Sequence, residues 1–106
     1  DQISNPTLTE NLSEATLEIA TRRLEGVYNI VGADRMDRYQ FALSIASKFD
    51  LDSSMWKPVS TAELGQKASR PLECGLLIDK AQKELKPPLL TVKEALQFAF
   101  DKSKAE

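Results

Sequence analysis

Arg70, followed by Pro71, is the residue best suited to chemistry in this chain. An arginine in a loop presents a planar, permanently charged fork that matches a phosphate. The proline after it stiffens the loop. Composition alone also allows a solvated surface arginine. Lys57 and Lys67 read as solvated side chains, either of which could assist a phosphate. Cys74 has no strong local activation and reads as a small, partly buried residue rather than a reactive thiol. Met55-Trp56 reads as packing rather than a ligand platform. Tyr28 and Tyr39 lack a lysine four residues on, so neither forms the Tyr-x-x-x-Lys pair that transfers protons in some reductases. Glu10 and Glu14 sit at helical spacing and read as a solvated helix face. The four glycines stand apart, so no glycine-rich loop is present to cradle a dinucleotide or a nucleoside triphosphate.

Composition narrows the chemistry further. The chain has no histidine, which excludes a Ser-His-Asp triad and any His-ligated metal. A single cysteine excludes an internal disulfide and a multi-cysteine zinc site, and fits a reducing, cytoplasmic setting. Net charge is −2 and the basic residues are scattered, with Arg22-Arg23 the one basic doublet. Phosphate-backbone binding needs a clustered positive field, so nucleic acid is not the expected partner. No apolar run approaches the roughly 20 residues of a membrane span. The polar start, Asp1-Gln2-Ile3-Ser4-Asn5, does not read as a signal peptide. Asn11-Leu12-Ser13 matches a glycosylation sequon but falls inside a predicted helix and reads as chance.

These residues need elements to hold them, and 106 residues allow one small unit. Residues 1–8 read as extended or loop, with Pro6 biasing Asn5 away from helix. Thr9 is the expected N-cap of a helix over 10–24, with Leu12, Ala15, Ile19 and Ala20 on one face and Gly26 ending it. Residues 27–31 (Val27, Tyr28, Ile30 and Val31 around Asn29) read as a strand apolar on both faces, as in a sheet covered on both sides. Asp37 caps the clearest helix, through Phe49, with Gln40 completing a capping-box pattern. Residues 56–59 read as a short strand. Ser60 or Thr61 caps a single turn through Leu64 that Gly65 closes. Leu76-Leu77-Ile78 reads as an edge strand, Asp79 as the cap of a helix to Leu85, and Lys86-Pro87-Pro88 as its break. Thr91 and Glu94 form a capping box for a last helix to about Lys102. The fold class is mixed α/β and helix-rich, with about four helices and two or three short strands.

Several of these pieces resemble, in order, the C-terminal part of the dTDP-4-dehydrorhamnose reductase family within the extended short-chain dehydrogenase/reductase superfamily. Asp1-Gln2 with Asn5-Pro6-Thr7 resembles its "DQxGxPT" segment, with Ser4 where the family often has glycine. Gly26-Val27-Tyr28-Asn29-Ile30-Val31-Gly32 is similar to its "GxYhxxG" strand. Asp37-Arg38-Tyr39-Gln40-Phe41-Ala42 is similar to "SRYEFA", with Asp37 replacing the serine cap. Lys57-Pro58-Val59 is similar to "RPV". Arg70-Pro71, then Leu77-Ile78-Asp79-Lys80-Ala81, resembles "RPxxxxLDxSKA", although Glu73-Cys74-Gly75-Leu76 departs from the usual polar run.

The resemblance implies a substrate-binding region of an NADPH- or NADH-dependent reductase that acts on a dTDP-linked 4-keto sugar. It assigns Arg70 to the diphosphate of the nucleotide sugar, and Gln2, Pro6 and Thr7 to the sugar side of the cleft. The glycine-rich cofactor loop and the catalytic Ser/Thr, Tyr and Lys belong to an N-terminal Rossmann region that this sequence does not contain. No cofactor is therefore expected on this chain, and no hydride transfer by it alone. Residues 1–32 are expected to pack on the Rossmann sheet, and 33–106 to form the substrate lobe. An uncovered apolar strand also predicts a homodimer or domain swap when the chain is alone. The same superfamily contains a non-catalytic regulatory subunit of methionine adenosyltransferase, which is the alternative reading: a protein that acts by binding a partner.

Overall fold

The computed structural model describes residues 1–105. It is mixed α/β and helix-rich, as the sequence predicts. Its elements are β1 (Ile3–Ser4), α1 (Thr9–Arg22), β2 (Met36–Asp37), α2 (Arg38–Phe49), α3 (Thr61–Leu64), α4 (Asp79–Glu84) and α5 (Val92–Ala105).

The strands are not where residue propensity places them. β1 and β2 pair antiparallel, Ile3 opposite Asp37 and Ser4 opposite Met36. Glu73 adds a parallel bridge on Ile3. The expected strand at 27–31 is irregular and joins no ladder. Nor is it buried on both faces: Tyr28 and Ile30 pack on the core while Val27 is 82% exposed. The expected strands at 56–59 and 76–78 are likewise irregular. β-propensity describes fit to a pleated surface, and these segments have no neighbouring strand to provide one.

Helix ends follow local chemistry more closely. Asp37 accepts a hydrogen bond from the Gln40 N–H at 2.8 Å and starts α2. Ser60 and Glu63 complete a reciprocal capping box around α3, and Thr91 and Glu94 exchange the same pair of bonds at α5. Two expected caps move. Leu8, not Thr9, occupies the N-cap of α1, and Ile78, not Asp79, that of α4; neither makes a side-chain capping bond. Asp79 still lies in the first turn, where its charge complements the helix dipole. At the far end of α1, Arg23 takes the left-handed conformation (φ 53°), three residues before the expected Gly26. Its neighbour Leu24 donates back to the Ile19 carbonyl at 3.0 Å, so the helix is closed before Gly26 turns the chain outward at φ 103°.

One cluster joins α1 to α4 and the segment after it: Ala15, Ala81, Leu85 and Leu89, with Ile19, Leu24, Tyr28, Ile30 and Ile78 against them. A second contact packs α2 on α5, where the Phe49 and Phe100 rings meet edge-on at 5.5 Å. Met55 and Trp56, expected as packing, lie outside both: Met55 is 91% exposed and Trp56 is also exposed. No large side chain among the described residues is fully buried. The radius of gyration is 15.9 Å, against about 13 Å for a self-contained domain of 100 residues. Among the described residues no helix is long and apolar enough to cross a membrane.

Candidate functional site

Arg70 rides on a loop anchored at both ends. On one side α3 is capped by Ser60 and closed by Gly65 in the left-handed conformation (φ 58°). On the other, the Ile3 N–H donates to the Leu72 carbonyl at 2.7 Å and the Cys74 N–H donates to the Ile3 carbonyl at 2.8 Å. The loop therefore hangs from β1, the strand that Gln2 directly precedes. Glu73 fixes the same edge: its carboxylate pairs with Arg35 and accepts from the Gly75 N–H at 2.8 Å. That backbone bond, with the Arg35 guanidinium, holds the Glu73 carboxyl below its ordinary pKa despite partial desolvation.

Asp1 and Gln2 join this loop to α3. Asp1 Oδ1 accepts from the Thr61 N–H at 2.8 Å and from Thr61 Oγ1 at 2.6 Å. Gln2 Nε2 donates to Thr61 Oγ1 and to Gln66 Oε1, each at 3.1 Å. Two cavities adjoin this junction and share Asp1, Thr61 and Gln66 as lining residues. One, of about 400 Å³, is lined by Arg70 together with Ser69 and Leu72. The other, of about 240 Å³, is lined by Gln2, by Arg38 and Lys57, and by the apolar surface of Tyr39, Val59 and Leu64. Arg70 and Gln2, named from sequence, thus lie on adjoining hollows. Arg70 is exposed and makes no ion pair or side-chain hydrogen bond among the described residues. Such an arginine has its whole fork available to an anion.

Pro6 and Thr7 are placed elsewhere. Thr7 Oγ1 donates to the Asn5 carbonyl at 2.9 Å and accepts from the Gly32 N–H at 3.1 Å. The Pro6 carbonyl occupies the space where a Cβ on Gly32 would stand. Both residues lock the chain against Gly32, and neither lines the two cavities. Directly before them in the chain is Asn5, buried at 9% exposure. Its Nδ2 donates to the Gly32 carbonyl at 2.9 Å and to the Leu76 carbonyl at 3.4 Å, while its Oδ1 accepts from the Leu76 N–H at 2.8 Å.

Other candidates fall away from the site. Cys74 is exposed rather than partly buried, because its backbone, not its side chain, is what pairs with Ile3. The Tyr28 hydroxyl donates to Glu84, and that bond, with partial desolvation, raises its pKa. Lys80 sits 4.1 Å from the centre of the same ring. A wider groove of about 720 Å³ between α2 and α5, lined in part by Met36, Leu43 and Leu96, contains none of the candidate ligand residues. Among the described residues no cluster of His, Cys, Asp or Glu could hold a metal ion.

Thr61, Gln66, Arg38 and Tyr39 are the site residues that residue-by-residue reasoning missed. Thr61 and Gln66 meet Gln2 across 59 and 64 residues of chain, which no local pattern encodes. Arg38 sits in the run Asp37-Arg38-Tyr39, which points to the cap and to the family resemblance but not to a ligand contact.

A family model described as the RmlD substrate binding domain matches residues 1–105. The spore coat polysaccharide biosynthesis protein SpsK of Bacillus subtilis (strain 168) is 32% identical over 71 residues, which is 67% of this chain and 24% of that protein. A crystal structure of dTDP-4-dehydrorhamnose reductase from Bacillus anthracis str. Ames, in complex with NADP, superposes with a TM-score of 0.85 at 24% identity, over 95% of this chain and 36% of that one. The chain thus spans about a quarter to a third of the length of the proteins it matches. The structural match establishes the fold.

Proposed function

From a chain that belongs to the RmlD substrate binding domain family, we infer the substrate-binding portion of a nucleotide-sugar reductase, one that reduces a dTDP-linked 4-keto sugar. The observation that carries this reading is Arg70: an unpaired guanidinium lining a cavity of about 400 Å³, on a loop tied to β1 by two backbone bonds. It offsets the charge of the diphosphate. Gln2, on the adjoining cavity, is suited to the hydroxyls of a sugar because its amide both donates and accepts.

This chain's own residues do not fit a dinucleotide. Its glycines are separate, and the Pro6 carbonyl closes off Gly32. The nicotinamide cofactor, NADPH or NADH, belongs to a Rossmann region in the parent protein, and the reduction takes place on residues of that region. What this chain contributes is binding and orientation, which lower the barrier by fixing the sugar against the reacting groups. The face that meets the Rossmann region is the one where Val27 (82% exposed) and Leu77 (74% exposed) stand uncovered. The Asn29 amide, donating to the Leu77 carbonyl at 3.2 Å, holds these two segments side by side there.

The test is Arg70→Ala in the full-length parent. Charge-assisted hydrogen bonds are worth about 1.5–3 kcal/mol, so the dissociation constant for the nucleotide sugar, measured calorimetrically, should rise about 10- to 150-fold. Unchanged affinity removes Arg70 from the site.

A further inference from the structure

We propose that Arg38 and Lys57 form a second anion contact of this site, facing the substrate from the smaller cavity while Arg70 faces it from the larger one. The inference rests on the reading of the paired cavities as a nucleotide-sugar site and adds to it the residues that share the diphosphate charge.

The two hollows carry three cations, Arg38, Lys57 and Arg70, against one carboxylate, Asp1. The Asp1 carboxylate is already engaged, accepting both bonds from Thr61. Arg38, Lys57 and Arg70 make no ion pair or side-chain hydrogen bond among the described residues, whereas Arg22, Arg35 and Lys102 each meet a carboxylate. In a chain of net charge −2, three cations without a carboxylate partner across two adjoining hollows focus a positive field there.

Their backbones are held in place. Arg38 is the first residue of α2, directly after Asp37, which is fixed twice, by its pairing with Ile3 and by its cap on Gln40. Lys57 precedes Pro58, which restricts its backbone, and the chain then enters the Ser60–Glu63 capping box. Tyr39, Val59 and Leu64 line the same smaller cavity and give it apolar surface. A diphosphate ester with a flat or ring-shaped substituent has both features. Its charge reaches the cations of both hollows, and its ring takes the apolar surface.

Inorganic pyrophosphate, titrated at low ionic strength and followed by amide chemical shifts, isolates the anion contact. The wild-type chain is expected to bind it. Arg38→Gln and Lys57→Gln should each weaken binding about tenfold or more, with Lys57→Arg restoring most of it. Lys67→Gln, on the Arg70 loop but lining neither cavity, should change it less than twofold. An equal loss in Lys67→Gln, or undiminished binding in both Arg38→Gln and Lys57→Gln, overturns the proposal. If only Arg70→Ala weakens binding, the second contact is wrong and the diphosphate reading stands. If only Arg38→Gln and Lys57→Gln do so, the second contact stands and the assignment of Arg70 falls. No binding to the wild-type chain rejects both.

Discussion

Asn5→Asp is a nearly isosteric change with a sharp expected consequence. In the wild type, the Asn5 amide donates to the Gly32 carbonyl at 2.9 Å and accepts from the Leu76 N–H at 2.8 Å, at 9% exposure. An ionised carboxylate keeps the acceptor and replaces the donor with a charged oxygen facing two carbonyls, those of Gly32 and Leu76. Leaving the Gly32 carbonyl unpaired costs about 1–3 kcal/mol, and an uncompensated buried charge brings the total to about 3–5 kcal/mol at neutral pH. That is a large share of the roughly 5–15 kcal/mol expected for a whole domain. Protonation restores a donor toward Gly32. The new carboxyl therefore has a folded-state pKa above its unfolded value of about 3.9. With more protons bound in the folded state, the variant's stability relative to wild type is greatest below that unfolded value. It falls as pH rises through the folded pKa. Urea unfolding followed by far-UV circular dichroism at pH 4 and pH 7, with wild type measured at both, separates this effect from general acid destabilisation. A variant within 1 kcal/mol of wild type at pH 7, or one with the same deficit at both pH values, would refute the role assigned to Asn5.

Two further changes test the frame around the site. Gly32→Ala puts a methyl group into the Pro6 carbonyl, with the Leu90 carbonyl oxygen 3.4 Å away on the other side. Backbone on both sides cannot rotate away, so unfolding should show a loss of about 2–4 kcal/mol, and a loss below 0.5 kcal/mol would mean the segment is not held there. Desolvation pushes the Glu18 carboxyl up, but the Lys86 N–H (2.8 Å) and Arg22 more than offset it, so its pKa lies below the ordinary value. Its contribution is present above the unfolded pKa of about 4.3 and is lost as pH falls through the lower folded value. The Tm of Glu18→Gln should therefore fall less steeply than that of wild type between pH 6 and pH 3; parallel curves would contradict it.

Local chemistry was legible in the sequence where a few adjacent residues decide the outcome. Ser60 with Glu63 and Thr91 with Glu94 form the expected capping boxes, and Asp37 caps α2 as expected. The family resemblance rested on such short pieces as well, and the match over residues 1–105 bears it out. The strands were not legible. The pairing that exists, Ile3 with Asp37 and with Glu73, uses residues of no marked β pattern, brought together across 34 and 70 positions. The cavities share that cause, since their common lining joins Asp1 to Thr61 and Gln66. The reading of Arg23-Leu24 as helix failed for a smaller reason. A left-handed cap favours glycine, but Arg23 adopts it because Leu24 can then bond back to Ile19.

The irregular segments raise a question that the buried amides answer. Extended chain without a ladder must still satisfy its backbone N–H and C=O groups. Here side chains do so in place of strands. Asn5 takes both backbone groups of Leu76 and the carbonyl of Gly32. Asn11, in an apparent sequon, donates to the Pro88 carbonyl at 3.1 Å and accepts from the Leu90 N–H at 2.9 Å. Gln82 holds both groups of Leu89 in the same way. An amide carries one donor and one acceptor edge, so each of these residues substitutes for a peptide of a neighbouring strand. In residues 27–31 the Val27 carbonyl accepts from Lys80 Nζ at 3.0 Å, while Tyr28 and Ile30 lie on the core and Val27 is uncovered beside Leu77. The apolar run that first suggested a strand between two covering layers is half explained by the core of this chain. The other half, Val27 with Leu77, stands exposed and supports the proposal that this face meets a Rossmann region.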